Sequence, residues 1–264
     1  MHPILNIAIR AVRKGGNIII QNYDNQNFTK ENSEKKKNFI QNVTNKTYRM
    51  INEIIHKSYP SHIILNKNTN LEFKNKNNTY WIVNELDGIL NFINRLPHFC
   101  ISIAVIVKGI TEISVIYDPV RNDLFTAVKG QGSQLNGYRT RCTNANALES
   151  STIAINLPYY KNNESLSYIE VYKKLFLCGF SFRCTGSSVL DLAYVSSGKI
   201  DCLFHFNLEP NNFIAGKLQL IESGCLVNNF QKSLEYNNFN TAKFASNPKF
   251  IRLMTEKISA YSNI

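Results

Sequence analysis

The alternation of apolar and polar positions divides the chain into two textures. Residues 3 to 22 place Ile4, Leu5, Ala8, Val12 and Ile19 on one face at helical spacing. Ile7, Ile9, Ile18 and Ile20 widen that face, so the spacing predicts a deeply buried first helix. A polar segment from 24 to 38 separates it from a second helix over about 39–58. There Phe39, Val43, Met50, Ile51, Ile54 and Ile55 turn inward, and Pro60 marks the end. From residue 62 to 135 the period shortens to that of strands, with candidates at 62–65, 80–83, 101–107, 112–117 and 124–128. Lys108-Gly109 and the run from Asp118 to Asp123 supply turns between them. Two helices before a strand meander predict a helix layer on a largely antiparallel sheet.

Beyond residue 140 strands and helices alternate. Strands are expected at 152–156, 202–206, 225–227 and 242–245, and helices at 166–177, 188–197, 212–223 and 248–258. The fold class is therefore mixed α/β in layers. The expected organisation is a helix-pair and antiparallel-sheet lobe over 1–145 and an α/β lobe over 146–264.

Composition adds limits. The 264 residues suffice for a sizeable core, and 44% are hydrophobic. No apolar run approaches the roughly 20 residues that cross a bilayer. The N-terminus lacks the basic, apolar and small-residue order of a signal peptide, so the expected location is the cytoplasm, away from membranes. The six cysteines form no C-x-x-C pair, and buried, reduced thiols are expected. The net charge of +11 has two readings: a Lys- and Asn-rich base composition, or attraction to nucleic acid or another polyanion. The run from Lys30 to Lys37 is mixed in sign and reads as a solvated loop.

The candidate chemistry centres on Trp81 to Phe92, where an apolar strand enters the polar turn Leu86-Asp87-Gly88. Such a turn can aim carboxylates and backbone N–H groups at a phosphate. Further along stand Asn91-Phe92, Leu96-Pro97-His98-Phe99, Ser102-Ile103-Ala104-Val105, Tyr117-Asp118-Pro119, Gly130-Gln131-Gly132, Leu135-Asn136-Gly137 and Thr185-Gly186-Ser187. Taken together, these motifs resemble the inositol monophosphatase family over nearly the full length. The resemblance implies a layered α/β/α/β/α sandwich and Mg²⁺-assisted hydrolysis of a phosphate monoester, in which hard anionic oxygens hold the metals.

The resemblance also shows what is missing. The family's first glutamate corresponds to Lys67 and its first strand aspartate to Asn84. The second aspartate is retained as Asp87, and a carbonyl ligand corresponds to Leu86. The aspartate opening a late helix corresponds to Asn212, with Asn211 in place of its tryptophan neighbour, and a further metal-supporting aspartate corresponds to Thr44. The water-activating threonine corresponds to Ile89 and a substrate-binding acid to His205, while a substrate-side arginine is matched by Arg183. An ammonium at Lys67 opposes a cation: two unit charges about 4 Å apart interact by about 4 kcal/mol at an effective dielectric of about 20. Glu85 is the one new acid nearby, but strand alternation turns it to the opposite face. If the family fold holds, Thr44, Lys67, Asn84, Ile89 and Asn212 converge on one pocket. Asp87 then reads as a turn residue that caps backbone N–H groups, and His98 and His205 as packed or solvent-facing side chains.

Three functions follow as expectations. The bacterial branch of the family that acts in transcription implies a Nus-factor role in ribosomal RNA antitermination and maturation. That role implies NusA and RNA polymerase as partners, with rRNA and a second copy of the chain as further options. It needs neither catalytic residues nor a cofactor. The second is a weak, Mg²⁺-dependent inositol-1-monophosphatase; the third is a non-catalytic anion-binding protein using Lys67, Arg183 and the Gly88 turn.

Overall fold

A computed structural model describes residues 2–25, 33–66, 75, 77–157, 163–206, 208–229 and 243–259. The first half opens with two helices, α1 (Pro3–Asp24) and α2 (Ser33–Ser58). Strands β1 (Ile63–Asn66) and β2 (Thr79–Asp87) follow, then a short helix α3 (Ile89–Ile93). A meander continues through β3 (Cys100–Val107), β4 (Ile110–Asp118), β5 (Asp123–Val128), β6 (Gly132–Leu135) and β7 (Tyr138–Thr140). The second half runs β8 (Thr152–Ile155), α4 (Asn163–Leu177), β9 (Ser181–Arg183), α5 (Ser188–Ser196) and β10 (Cys202–His205). It ends with α6 (Pro210–Glu222), β11 (Leu226–Asn229), β12 (Lys243–Ser246) and α7 (Pro248–Ser259).

The strands form a seven-stranded sheet in sequence order β1 to β7 and a five-stranded sheet ordered β11-β12-β10-β8-β9. The first sheet is antiparallel apart from the parallel β1–β2 pair. In the second, β10 runs parallel to β8 and antiparallel to β12.

Alternation along the strands assigns each face. On the first sheet Trp81, Val83, Ile101, Ile103, Val105, Ile113 and Val115 pack with Ala8, Val12 and Ile19 of α1 and Ile51 and Ile55 of α2. Their neighbours Tyr80, Ile82, Ala104, Ile106, Ile116 and Phe125 pack with Val189, Leu190 and Ala193 of α5 and Ala215 of α6. The opposite side of these two helices meets the second sheet: Leu192, Val195, Phe213 and Leu220 pack with Ala154, Leu203 and Ala245. The outer face of that sheet carries Ile153, Phe204 and Phe244 against Tyr172 and Leu175 of α4 and Phe250 and Met254 of α7. The layers are therefore α/β/α/β/α, and α5 and α6 belong to the cores of both sheets. Their close approach requires Gly216, where a Cβ would lie 2.3 Å from a Leu192 methyl.

Several elements exceed the pattern. Residues 33–37, within the run read as a loop, form the first turns of α2. Lys and Glu are strong helix formers but show no apolar periodicity there, and Glu34 sits favourably at the helix N-terminus. Three-residue strands such as β7 and β9 are too short to show an alternation, and their pairing is set by the neighbouring strand. Among the described residues, no helix is long and apolar enough to cross a membrane. The expectation of uniformly buried thiols fails for Cys142 and Cys178, which are half-buried, and for Cys184, which is exposed.

Candidate functional site

The site forms where the end of β2 meets the first turns of α5 and α6. In β2, Asn84 follows Tyr80 and Ile82 on the face toward those helices, while Glu85 follows Trp81 and Val83 toward α1 and α2. Glu85 is buried there and raises the pKa of the α2 residue Tyr48, second to the burial of that phenol. Strict alternation would send Asp87 after Glu85. Instead the β2–β3 register shifts between Asn84 and Asp87, and the bulge returns Asp87 to the side of Asn84. Leu86 falls into the apolar core against α1 and α2, and its N–H donates to Asn84 Oδ1 at 3.3 Å.

Gly88 then turns the chain with φ 83°, and a Cβ there would sit 2.8 Å from the His98 carbonyl oxygen. Ile89 packs into the core formed with α1 and α2.

A directed chain of hydrogen bonds fills the junction. Asn84 Nδ2 donates to Asn212 Oδ1 at 2.6 Å. Asn212 Nδ2 donates in turn to Asp87 Oδ1 at 3.2 Å and to Ser188 Oγ at 2.9 Å. Asp87 Oδ2 accepts from Ser187 Oγ at 2.6 Å and from the Val189 N–H at 3.0 Å. The Val189 bond satisfies a backbone donor in the first turn of α5, so Asp87 caps that helix from a distant strand. Burial raises the Asp87 pKa; the Ser187 and Val189 bonds oppose the rise, and the nearby Asp191 and Glu209 charges add to it.

A second polar group lies along α5. Thr185 Oγ1 donates to Asp191 Oδ1 at 2.7 Å, and His205 Nε2 approaches Asp191 Oδ2 at 3.2 Å without the alignment of a hydrogen bond. Both ring nitrogens of His205 lack a hydrogen-bond partner, and both members of the pair are 1% exposed. His98 is half-buried with its ring edge-on to Tyr194, and burial lowers its pKa.

The structure thus brings Asn84, Asp87 and Asn212 into one hydrogen-bonded group. It places Thr44 in α2, where its hydroxyl donates to the Ile40 carbonyl at 3.0 Å. Arg183 lies exposed on β9, the end strand of its sheet, and donates to the Phe182 carbonyl at 2.9 Å. Lys67 lies outside the described residues. Ser187, Ser188 and the Val189 N–H complete the group; nothing in the Thr185-Gly186-Ser187 turn as a sequence points to the site, because its partners lie on other elements. Among the described residues, no group of three or more His, Cys, Asp or Glu side chains is placed to hold a metal ion.

A five-layer sandwich with a bulged strand-turn aimed at two helix starts defines a class. The profile of the inositol monophosphatase family matches residues 1–260, and the chain belongs to that family. Among its relatives, a protein of Buchnera aphidicola subsp. Schizaphis graminum named Nus factor SuhB is 66% identical over 263 residues, covering 98% of this chain and 97% of the relative. The Escherichia coli (strain K12) protein of the same name is 42% identical over 255 residues, covering 96% of this chain and 95% of the relative. Among solved structures, the extragenic suppressor protein suhB from Bartonella henselae superposes with a TM-score of 0.83 at 24% identity, over 98% of this chain and 100% of that one. An inositol monophosphatase from Thermotoga maritima gives 0.78 at 25% identity, over 98% of each chain.

Proposed function

We propose that this chain is a Nus factor of the SuhB type that does not hydrolyse phosphate esters. It works by binding within a transcription complex in the cytoplasm. One observation carries the non-catalytic part: the two amides and the one carboxylate of the junction are bonded to each other. Mg²⁺ requires hard oxygen ligands, preferably anionic. Here Asn84 Oδ1 already accepts from the Leu86 N–H, and Asn212 Oδ1 accepts from Asn84. The Asn212 amide N–H groups point at Asp87 and Ser188, presenting positive hydrogens where a cation would need oxygens. Asp87 spends both oxygens on protein donors. This donor set does not fit Mg²⁺, so no metal-activated water is available to attack a phosphate.

The binding role rests on full-length kinship with proteins named Nus factor SuhB. The proposed partners are NusA and RNA polymerase, in an antitermination complex acting on ribosomal RNA. The +11 charge supports work beside RNA, because lysines near phosphates gain free energy by releasing counterions.

Two measurements test this. Inositol 1-phosphate with Mg²⁺ should release no phosphate above a metal-free control; turnover that disappears in Asp87→Asn would overturn the non-catalytic reading. Purified NusA and RNA polymerase should be retained by the immobilised protein at low salt, and failure to retain either would overturn the partner assignment.

A further inference from the structure

The helix layer outside the seven-stranded sheet carries more than half of the excess positive charge. Helices α1 and α2 hold nine lysines and arginines against three aspartates and glutamates, in a chain whose net charge is +11. The two helices lie antiparallel. At one end Arg10 Nη2 donates to Ser58 Oγ at 3.5 Å. At the other, Ile18, Gln21 and Asn22 face Lys46, Arg49 and Met50 across a groove of about 340 Å³.

Helical spacing lines the charges up with this groove. Arg10, Lys14 and Gln21 fall on one stripe of α1, and Lys46, Arg49 and Lys57 on one stripe of α2. Each stripe covers three turns, about 16 Å at the helical rise. All five cations are exposed. Among the described residues none of the five is paired with a carboxylate, and Glu53 is the one acid lining the groove. Cations elsewhere on the surface are paired: Arg121 with Asp118, Lys129 with Glu112 and Lys199 with Asp123.

We propose that this groove is a binding surface for single-stranded RNA, whose phosphate backbone lies between the two rows of cations. Packed helices stand about 8–10 Å apart between axes, so the groove between them admits one strand and not a duplex. An acidic protein segment is the poorer fit. Protein interfaces are anchored by buried aromatic and apolar side chains, and this groove offers only the half-buried Ile18 and Met50. Interfaces with nucleic acid are polar and strongly positive, which is the character of this one. Among the described residues no aromatic ring lines the groove, so bases are neither stacked nor read, and binding is independent of sequence. The choice of RNA rests on the transcription role proposed above; the charge and shape of the groove do not.

The experiment follows the fluorescence anisotropy of a labelled short oligouridylate with the full-length protein across a salt series. Neutralising a phosphate with each of the five cations gives a slope of log affinity against log salt of about −3.5 for a single strand. Lys46→Ala with Arg49→Ala removes two contacts, so the slope should flatten by about 1.4 and affinity at about 0.1 M salt should fall about 25-fold. Lys46→Arg with Arg49→Lys should retain binding. Lys14→Ala, on the other helix, should weaken it about fivefold and keeps the groove testable if the double alanine variant fails to fold. Lys129→Ala, a paired cation outside the helix layer, should change nothing. No binding by the wild type at low salt, equal affinity across these variants, or a loss in Lys129→Ala as large as in the double variant would each overturn the proposal. Polyglutamate bound more tightly than the oligouridylate would overturn it in favour of an acidic protein segment. Retention of NusA and RNA polymerase is scored separately: failed RNA binding with retention intact overturns this inference alone, and the reverse overturns the partner assignment alone.

Discussion

The two faces of the seven-stranded sheet are built on opposite terms. Toward α1 and α2 the strands offer an almost uninterrupted apolar surface, from Trp81 through Ile103 to Val115. Toward α5 and α6 the same strands place Asn84, Asp87, Ser102 and Ser114 among apolar neighbours. The first face is stabilised by burial of apolar area, which needs only shape and hydrophobicity. The second holds buried polar groups that would each destabilise the fold if unpartnered. Asn84, Asp87 and Ser114 are partnered: the first two in the junction, while Ser114 Oγ donates to the Ala215 carbonyl at 2.7 Å; beside them Ser133 Oγ donates to Gln219 Oε1 at 2.7 Å. The difference shows how one sheet can carry an apolar face and a polar face at once, the polar one bonded largely within the fold.

The largest effect should come from the apolar face. Ile103→Ala is expected to cost about 4 kcal/mol in chemical denaturation, through lost burial and a cavity. Next is Asp87→Ala, expected at about 3 kcal/mol, because the Ser187, Val189 and Asn212 donors are left buried without their acceptor. If Asp87→Ala proved neutral, the picture of a closed polar network would fail.

A smaller change tests the metal directly. Asn212→Asp sets a second carboxylate against Asp87, where the Asn212 amide nitrogen now lies 3.2 Å from Oδ1. One of two such carboxyls takes up a proton, which limits the loss to about 2 kcal/mol at neutral pH without metal. Mg²⁺ should restore part of that loss in the variant and leave the wild-type melting temperature unchanged. A clear Mg²⁺-dependent rise in the wild type would show that its own donors suffice.

Ser114→Ala removes one buried hydroxyl from the polar face and should cost about 1 kcal/mol. The smallest signal is a slope against pH. The folded-state pKa of Asp87 is raised, chiefly by burial. Its contribution is therefore fully present below the unfolded carboxyl value of about 4 and is lost as pH rises through the folded value. Denaturation midpoints of the wild type measured against Asp87→Asn should show the wild-type advantage shrinking over that rise. An advantage that grows with pH would mean the hydrogen bonds outweigh burial.

The apolar halves of these elements were legible because periodicity reports burial directly. The inward residues of α1 and α2 followed from helical spacing, and the strands β2 to β5 were placed by their shorter period. The site was legible only in part. Asn84, Asp87 and Asn212 could be named as changed or kept family positions, but nothing in their spacing showed that two amides and a carboxylate bond in sequence. The bulge was hidden as well. Simple alternation puts Asp87 with Glu85, and only the shifted register against β3 returns it to Asn84. Ser187 and Ser188 gave no periodic signal because their partners lie on other elements.

By itself, the sequence determined the longer helices and strands and the helix faces that must be buried, which are properties of local spacing; that amides stand where the family has carboxylates was legible only through the resemblance. The tertiary structure decided how those amides are bonded. It set Asn84 against Asn212 across 128 positions of chain and aimed Asn212 at Asp87. It also brought the Cys142 segment onto the turn that carries Cys225. A hydrogen bond between distant segments depends on distance and direction in space, and those exist only once the layers have packed.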